Sequence, residues 1–195
     1  MKKKKEYDIL QQYNLRRVKM SEKSNKNSLL EWVVVIAVAF VLSMVIKSFI
    51  LSSTLVVGSS MNDTLKTRDR LFVNRISFMV DDVDYGDIVE FKSPVEDKDY
   101  IKRVIGLPGD TVEIKDDKVL LNGKELKESY TNSDRTLAIT DQTKWEVEEG
   151  KVFVLGDNRL PNGSKDSRDF GTIDKDSIVG IAFFRFYPFN QIGTL

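Results

Sequence analysis

Histidine and cysteine are both absent from this 195-residue chain, and those two absences remove most of the familiar hydrolytic chemistries. A Ser-His-Asp triad, a Cys-His pair, an imidazole general base and zinc sites built on thiolate or imidazole all need side chains that do not occur here. No disulfide can form. That leaves location open, because oxidising compartments permit disulfides without requiring them. Net charge is missing too, since 30 Lys and Arg balance 30 Asp and Glu. The balance is uneven along the chain: residues 1–28 hold nine basic and three acidic side chains, a net +6, which leaves −6 on the rest. An acidic main domain argues against nucleic acid as its partner.

The length and the 41% apolar content fit one folded domain with an appendage. Residues 1–28 lack an apolar period and are expected to form a basic cytoplasmic tail. Residues 29–51 are expected to form a transmembrane anchor, because the run from Trp32 to Leu51 supplies about 20 mostly apolar residues, enough to cross roughly 30 Å of hydrocarbon as a helix. Lys47, near the far end, can extend its stem to the interface. A cleaved signal peptide is the competing reading, but no Ala-x-Ala follows the apolar run. With the tail held inside by its positive charge, residues 52–195 are expected outside the membrane.

Beyond Ser52 the pattern is that of a mainly β protein, with short β-branched runs separated by Gly, Asn, Asp and Pro. Strands are expected at Leu55 to Val57, Arg70 to Asn74, Asp87 to Lys92, Tyr100 to Gly106, Val112 to Ile114, Val119 to Leu121, Lys151 to Leu155 and Ile178 to Phe186. Asn122-Gly123 suits a tight hairpin, and Asp116-Asp117 marks a second turn. Such punctuation favours an antiparallel sheet. The acidic stretches Asp81 to Asp84 and Glu96 to Asp99 are read as solvated loops.

Three segments carry the candidate chemistry. Gly58-Ser59-Ser60-Met61 is a small-residue turn close after the apolar run, and it offers two hydroxyls between which the residues alone do not choose. The stretch from Tyr100 to Asp110 sets Lys102 and Arg103 in an otherwise apolar strand, where alternation sends them to opposite faces, so one must face inward if the strand is central. Only lysine can then act as a base. Moving an ammonium from about 10.4 to near 7 takes roughly 3 units, or about 4 kcal/mol, which burial can supply, whereas a guanidinium keeps its proton. The third segment, Gly156 to Arg168, is a dense polar loop in which Ser164 offers a hydroxyl and Asp166 with Arg168 a bidentate pair.

In this order the segments resemble the type I signal peptidases of Gram-positive kind. The carriers are Gly58-Ser59-Ser60-Met61 with Thr64-Leu65, then Lys102-Arg103 with Gly106-Leu107-Pro108-Gly109-Asp110, then Gly156-Asp157-Asn158-Arg159 ending in Asp166-Ser167-Arg168. The resemblance implies one N-terminal transmembrane helix followed by an antiparallel β catalytic domain with a small β insertion at about residues 111–150. It implies a serine endopeptidase with Ser60 as nucleophile, Lys102 as general base, Ser164 bonded to the lysine amine, and Asp166 and Arg168 as structural support. The Ser60 backbone N–H is the implied oxyanion donor. Implied partners are signal-peptide-bearing preproteins and the lipid bilayer, with no metal and no cofactor; no nucleic-acid partner is expected from the charge, and a monomer is expected.

Three positions depart from the family pattern: Asp63 replaces a usual proline, Gly58 stands where some members carry an oxyanion serine, and Leu160 to Gly163 lengthens the last loop. Asp63 is expected to point away from Lys102, because a nearby carboxylate would hold the amine in its charged form. Two other readings are a Ser-Lys peptidase specialised for surface or pilin precursors, and a catalytically silent, membrane-anchored assembly protein. Retention of both Ser60 and Lys102 argues against the second.

Overall fold

The computed structural model describes residues 11–16, 28–44, 51–75 and 82–195, and it divides into two units, Met1–Lys47 and Ser48–Leu195. In the first unit residues 11–16 and 28–44 are helical and exposed throughout. Among the described residues no helix is long and apolar enough to cross a membrane. The spanning helix expected over 29–51 is therefore not found there, and its residues 45–50 lie outside the described residues, as does most of the expected tail.

The second unit is mainly antiparallel β structure. Its strands are β1 (Leu51–Leu55), β2 (Arg70–Asn74), β3 (Ile88–Lys92), β4 (Asp99–Gly106), β5 (Thr111–Lys115), β6 (Lys118–Leu121), β7 (Lys124–Glu125), β8 (Lys144–Glu146), β9 (Lys151–Leu155), β10 (Ile173–Asp174), β11 (Ile178–Tyr187) and β12 (Gly193–Thr194). The larger sheet has the order β1-β2-β11-β3-β4-β9-β10, with β12 paired to β11, and the smaller has the order β7-β6-β5-β8. Both tight turns of the smaller sheet take positive φ at each central residue, Asp116 and Asp117 at 49° and 60°, Asn122 and Gly123 at 53° and 76°. Paired positive values twist a two-residue loop in the sense that flanking strands need.

Alternation along the strands sorts the core. In β9, Val152 and Val154 pack with Val89, Phe91 and Val104, while Phe153 and Leu155 turn the other way onto Ile105, Val112, Val119 and Trp145. Covered on both faces, β9 reads as an unbroken apolar run. A third cluster, made of Val56, Met61, Leu65, Leu71, Val73, Ile88 and Ala182, lies beneath the segment that carries Ser60.

Three expectations needed correction. The first strand runs from Leu51 to Leu55 and ends where the sequence reading began it, because Val56 and Val57 lead into Gly58, whose φ of 104° cannot continue a strand. Four short strands, β7, β8, β10 and β12, were not anticipated. In β8 only Trp145 is buried, so two or three residues leave no apolar period to read. Finally, both Lys102 and Arg103 are buried, at 3% and 8% exposure, although alternation required only one of them to turn inward.

Candidate active site

The turn carrying Ser60 is held from below and from the side. Met61 and Leu65 anchor it in the third cluster, and Leu65 N–H donates to the Met61 carbonyl at 2.8 Å. Full burial of a leucine side chain contributes about 1.5–3 kcal/mol, so the turn is fixed by its own flanks. From the side, the Asn158 backbone N–H donates to the Ser60 carbonyl at 3.0 Å, and Asn158 Nδ2 donates to the Ser59 carbonyl at 3.0 Å. The two loops touch. A Cβ added to Gly156 would run into the Ser60 carbonyl oxygen and the Ser164 side chain, so glycine is required there for close approach.

Lys102 lies on β4, whose pairing with β9 begins only at Arg103. Its Nζ stands 2.9 Å from Ser60 Oγ and donates to the Ile101 carbonyl at 2.9 Å, with the Tyr100 ring centroid 4.9 Å away. Burial is the main cause that lowers its pKa, to about 8. The Asp166 and Asp157 carboxylates push the other way, and Lys98 adds to the lowering. An amine so placed is neutral in an appreciable fraction of molecules near pH 7.5, and it points at a hydroxyl. Ser59, by contrast, is exposed.

Behind this pair stand three buried arginine–carboxylate contacts. Arg103 grips Asp157 with Nε at 3.0 Å and Nη2 at 2.7 Å, and Asp157 also accepts from Thr64 Oγ1 at 2.5 Å. This explains how a second basic residue of β4 is buried: a bidentate partner compensates its desolvation. Arg168 grips Asp166 with Nε and Nη2, both at 2.8 Å, and the Gly156 N–H donates to the same carboxylate at 3.0 Å. Burial alone would raise the Asp166 pKa, but Arg168 and these donors outweigh it and hold it below the ordinary carboxylate range. Arg159, fully buried, pairs with Glu128 and donates to the Gly156 carbonyl at 2.7 Å.

The hydrogen bond implied between Ser164 and the Lys102 amine is not among those the amine makes. Its hydroxyl is buried and has no hydrogen-bond partner among the described residues, though it lies near enough to Asp166 to favour that group's charge. The Lys102 amine is instead occupied by Ser60 and the Ile101 carbonyl. Asp63 is exposed, and the carboxylates that act on Lys102 are Asp166 and Asp157. Gly58, with its positive φ, offers no side-chain donor, and its N–H is taken by Thr67 Oγ1 at 3.2 Å.

Asn132 and Glu90 were not named by the sequence reading, and Asn158 was named there only within a motif, with no role of its own. Asn158 fastens the Ser60 turn, while Asn132, 26 residues away in sequence, braces it: Asn132 Nδ2 donates to Asn158 Oδ1 at 2.8 Å and Asn132 Oδ1 accepts from the Arg159 N–H at 2.9 Å. Side chains that act through such nonlocal bonds leave no local pattern. Glu90, on β3, lines a groove of about 550 Å³ that opens onto Ser60 and Lys102 and is walled by residues 54–61 and 98–102.

Residues 29–187 match the model of a family described as signal peptidase, peptidase S26. A signal peptidase I from Bacillus licheniformis is 44% identical over 177 residues, covering 87% of this chain and 94% of the relative. A signal peptidase IB from Staphylococcus aureus strain N315 is 41% identical over 181 residues, covering 85% and 93%. A crystal structure of a signal peptidase I from Enterococcus faecalis V583 is 38% identical, covers 51% of this chain and 95% of that one, and has a TM-score of 0.42. The chain belongs to the signal peptidase family, peptidase S26.

Proposed function

We propose that this chain is a membrane-bound serine endopeptidase that removes N-terminal signal peptides from preproteins, with Ser60 as nucleophile and Lys102 as general base. The observation that carries the assignment is the 2.9 Å approach of a buried lysine amine to a serine hydroxyl. Neutral Lys102 takes the Ser60 proton as Oγ attacks the scissile carbonyl, then gives it to the departing amine. A water, activated by the same amine, hydrolyses the acyl-enzyme. The Ser60 backbone N–H donates to the oxyanion. Asp157 and Asp166, each locked by an arginine, hold the walls and carry no proton.

The preprotein lies in the groove as an extended strand, with small residues at the first and third positions before the cut. Residues 29–51 anchor the enzyme, residues 1–28 stay in the cytoplasm, and residues 52–195, with an insertion at about 111–150, work outside as a monomer. The exposed apolar helix over 28–44 supports the anchor. Because the chain has no cysteine, single cysteines placed at residue 10 and residue 134 report the topology. An impermeant maleimide should label intact cells only at residue 134, and labelling at residue 10 would overturn the orientation.

The function is tested by assaying preprotein cleavage with the full chain in detergent micelles. Ser60→Ala and Lys102→Ala should each lose at least about a thousandfold in kcat, the scale on which removal of one member of such a unit acts. Wild-type turnover in either variant would remove the assignment.

A further inference from the structure

The proposed mechanism leaves one buried ionisable group of the groove without a task. Glu90 is only 7% exposed, yet it lines the same groove as Ser60 and Lys102. Its strand position is defined: β3 pairs with β4 so that Glu90 directly opposes Ile101, the residue next to Lys102. Thr54, on β1, also lines the groove, and its hydroxyl is a hydrogen-bonding neighbour of the Glu90 carboxyl, while Asp99 adds a second negative charge close by. Burial keeps the Glu90 carboxyl above the ordinary range, Asp99 adds to this, and Thr54 and Arg75 oppose it.

A largely buried carboxyl with Thr54 as its hydrogen-bonding neighbour has given up water, and a ligand that donates to it recovers part of that cost. The register gives its distance from the chemistry. Neighbouring strands stand about 4.8 Å apart and residues rise about 3.3 Å along a strand, which sets the Glu90 backbone about 6 Å from that of Lys102. In an extended peptide, side chains two residues apart share a face and lie about 6.6 Å apart. Glu90 shares the face of its partner Ile101, and Ile101, Lys102, Ser60 and Thr54 all line the one groove, so if the first side chain before the cut sits at Ser60 and Lys102, the third lies at the distance of Glu90 and Thr54.

We infer that Glu90, with Thr54, makes the third-position subsite of this groove polar, so that it favours a preprotein residue that donates a hydrogen bond and rejects an acidic one. The inference rests on the peptidase reading and narrows its substrate. It assigns Glu90 a role in specificity and none in proton transfer to the substrate.

The test uses the full chain in detergent micelles and preproteins that differ only at the third residue before the cut: Ala as reference, then Thr, Val, Lys and Glu. Thr and Val have nearly the same shape and differ by a hydroxyl. Wild type should prefer Thr to Val by about tenfold in kcat/KM and cut the Glu substrate at least about tenfold less well than the Ala one, the scale of one buried polar contact. In Glu90→Val the Thr-to-Val ratio should fall to one or invert. Glu90→Gln, which keeps shape and hydrogen bonding, should retain part of the Thr preference and lose discrimination against Glu, and it serves if the valine variant does not fold. The same third-position profile in wild type and variants, or efficient wild-type cleavage of the Glu substrate, would overturn the subsite. Failure of wild type to cut the Ala substrate, or its continued cutting by Ser60→Ala, would instead overturn the peptidase reading.

Discussion

Lys102 combines two demands that usually conflict, since the amine must be buried enough to lose its proton and still be held in place, here by Ser60 and the Ile101 carbonyl. Burial dominates and leaves the pKa at about 8, against the pull of Asp166 and Asp157. That balance has a cost in stability. Well below pH 8 the amine is charged in both folded and unfolded chains, but the folded one carries the charge in a buried site. Between about 8 and 10.5 the unfolded state binds the extra proton, so stability recovers as pH rises through that window. A lowering of about 2.5 units corresponds to roughly 3 kcal/mol. Lys102→Met, of similar length and no charge, should therefore be inactive and yet more stable than wild type by about that amount at pH 7, with the gain shrinking towards pH 10.5. Denaturant midpoints at the two pH values check this, and a variant less stable than wild type at pH 7 would contradict it. The burial of a basic residue on this strand was legible in the sequence from its apolar surroundings, and the roles of Ser60 and Lys102 were implied there by the family resemblance. The environment of Ser164 was not legible, because which hydroxyl meets the amine depends on how two loops stack.

At the scale of elements, the site is a contact between the turn at Ser60 and the loop from Gly156 to Arg159, each fixed by a different part of the fold. The turn hangs on Met61 and Leu65, and the loop on β9 and on two buried arginine–carboxylate pairs. Asn158 joins them through backbone and side chain. Asn158→Ala keeps the backbone bond and removes the side-chain one, so the Ser59 carbonyl keeps only the Asn62 N–H as donor and the Asn132 amide loses its acceptor on Asn158. It should lower stability by about 1–2 kcal/mol and lower kcat more than it raises KM, as Ser60 is loosened rather than the groove reshaped. An unchanged kcat would show that the turn needs no such brace. Short apolar, β-branched runs such as Arg70 to Asn74 and Lys151 to Leu155, and the turns at Asp116-Asp117 and Asn122-Gly123, were readable from local pattern. The two- and three-residue strands were not, because their pairing is imposed by neighbours already in place. Asn132 escaped notice for the same reason, lying in one loop and acting on another.

For the molecule as a whole, charge and hydropathy divide the chain into a basic N-terminal stretch, an apolar helix and an acidic β unit. The proposed function uses all three. Tethering the enzyme to the bilayer that also holds the signal peptide raises the effective concentration of one for the other without any new contact. The groove is walled in part by residues 54–61, which follow the apolar run by a few residues in sequence. The smaller sheet was legible as antiparallel β from its turn chemistry, and the order of the larger one, with β11 between β2 and β3, was not, because long-range pairing leaves no sequence signal. The central claim is that one neutral amine activates one hydroxyl. The measurement that reaches it most directly is the pH dependence of kcat/KM for preprotein cleavage by the full chain. The account predicts an ascending limb with an apparent pKa of about 8, because the rate follows the fraction of Lys102 that has lost its proton. A rate that stays flat from pH 6 to about 10, or falls as pH rises through 8, would contradict it.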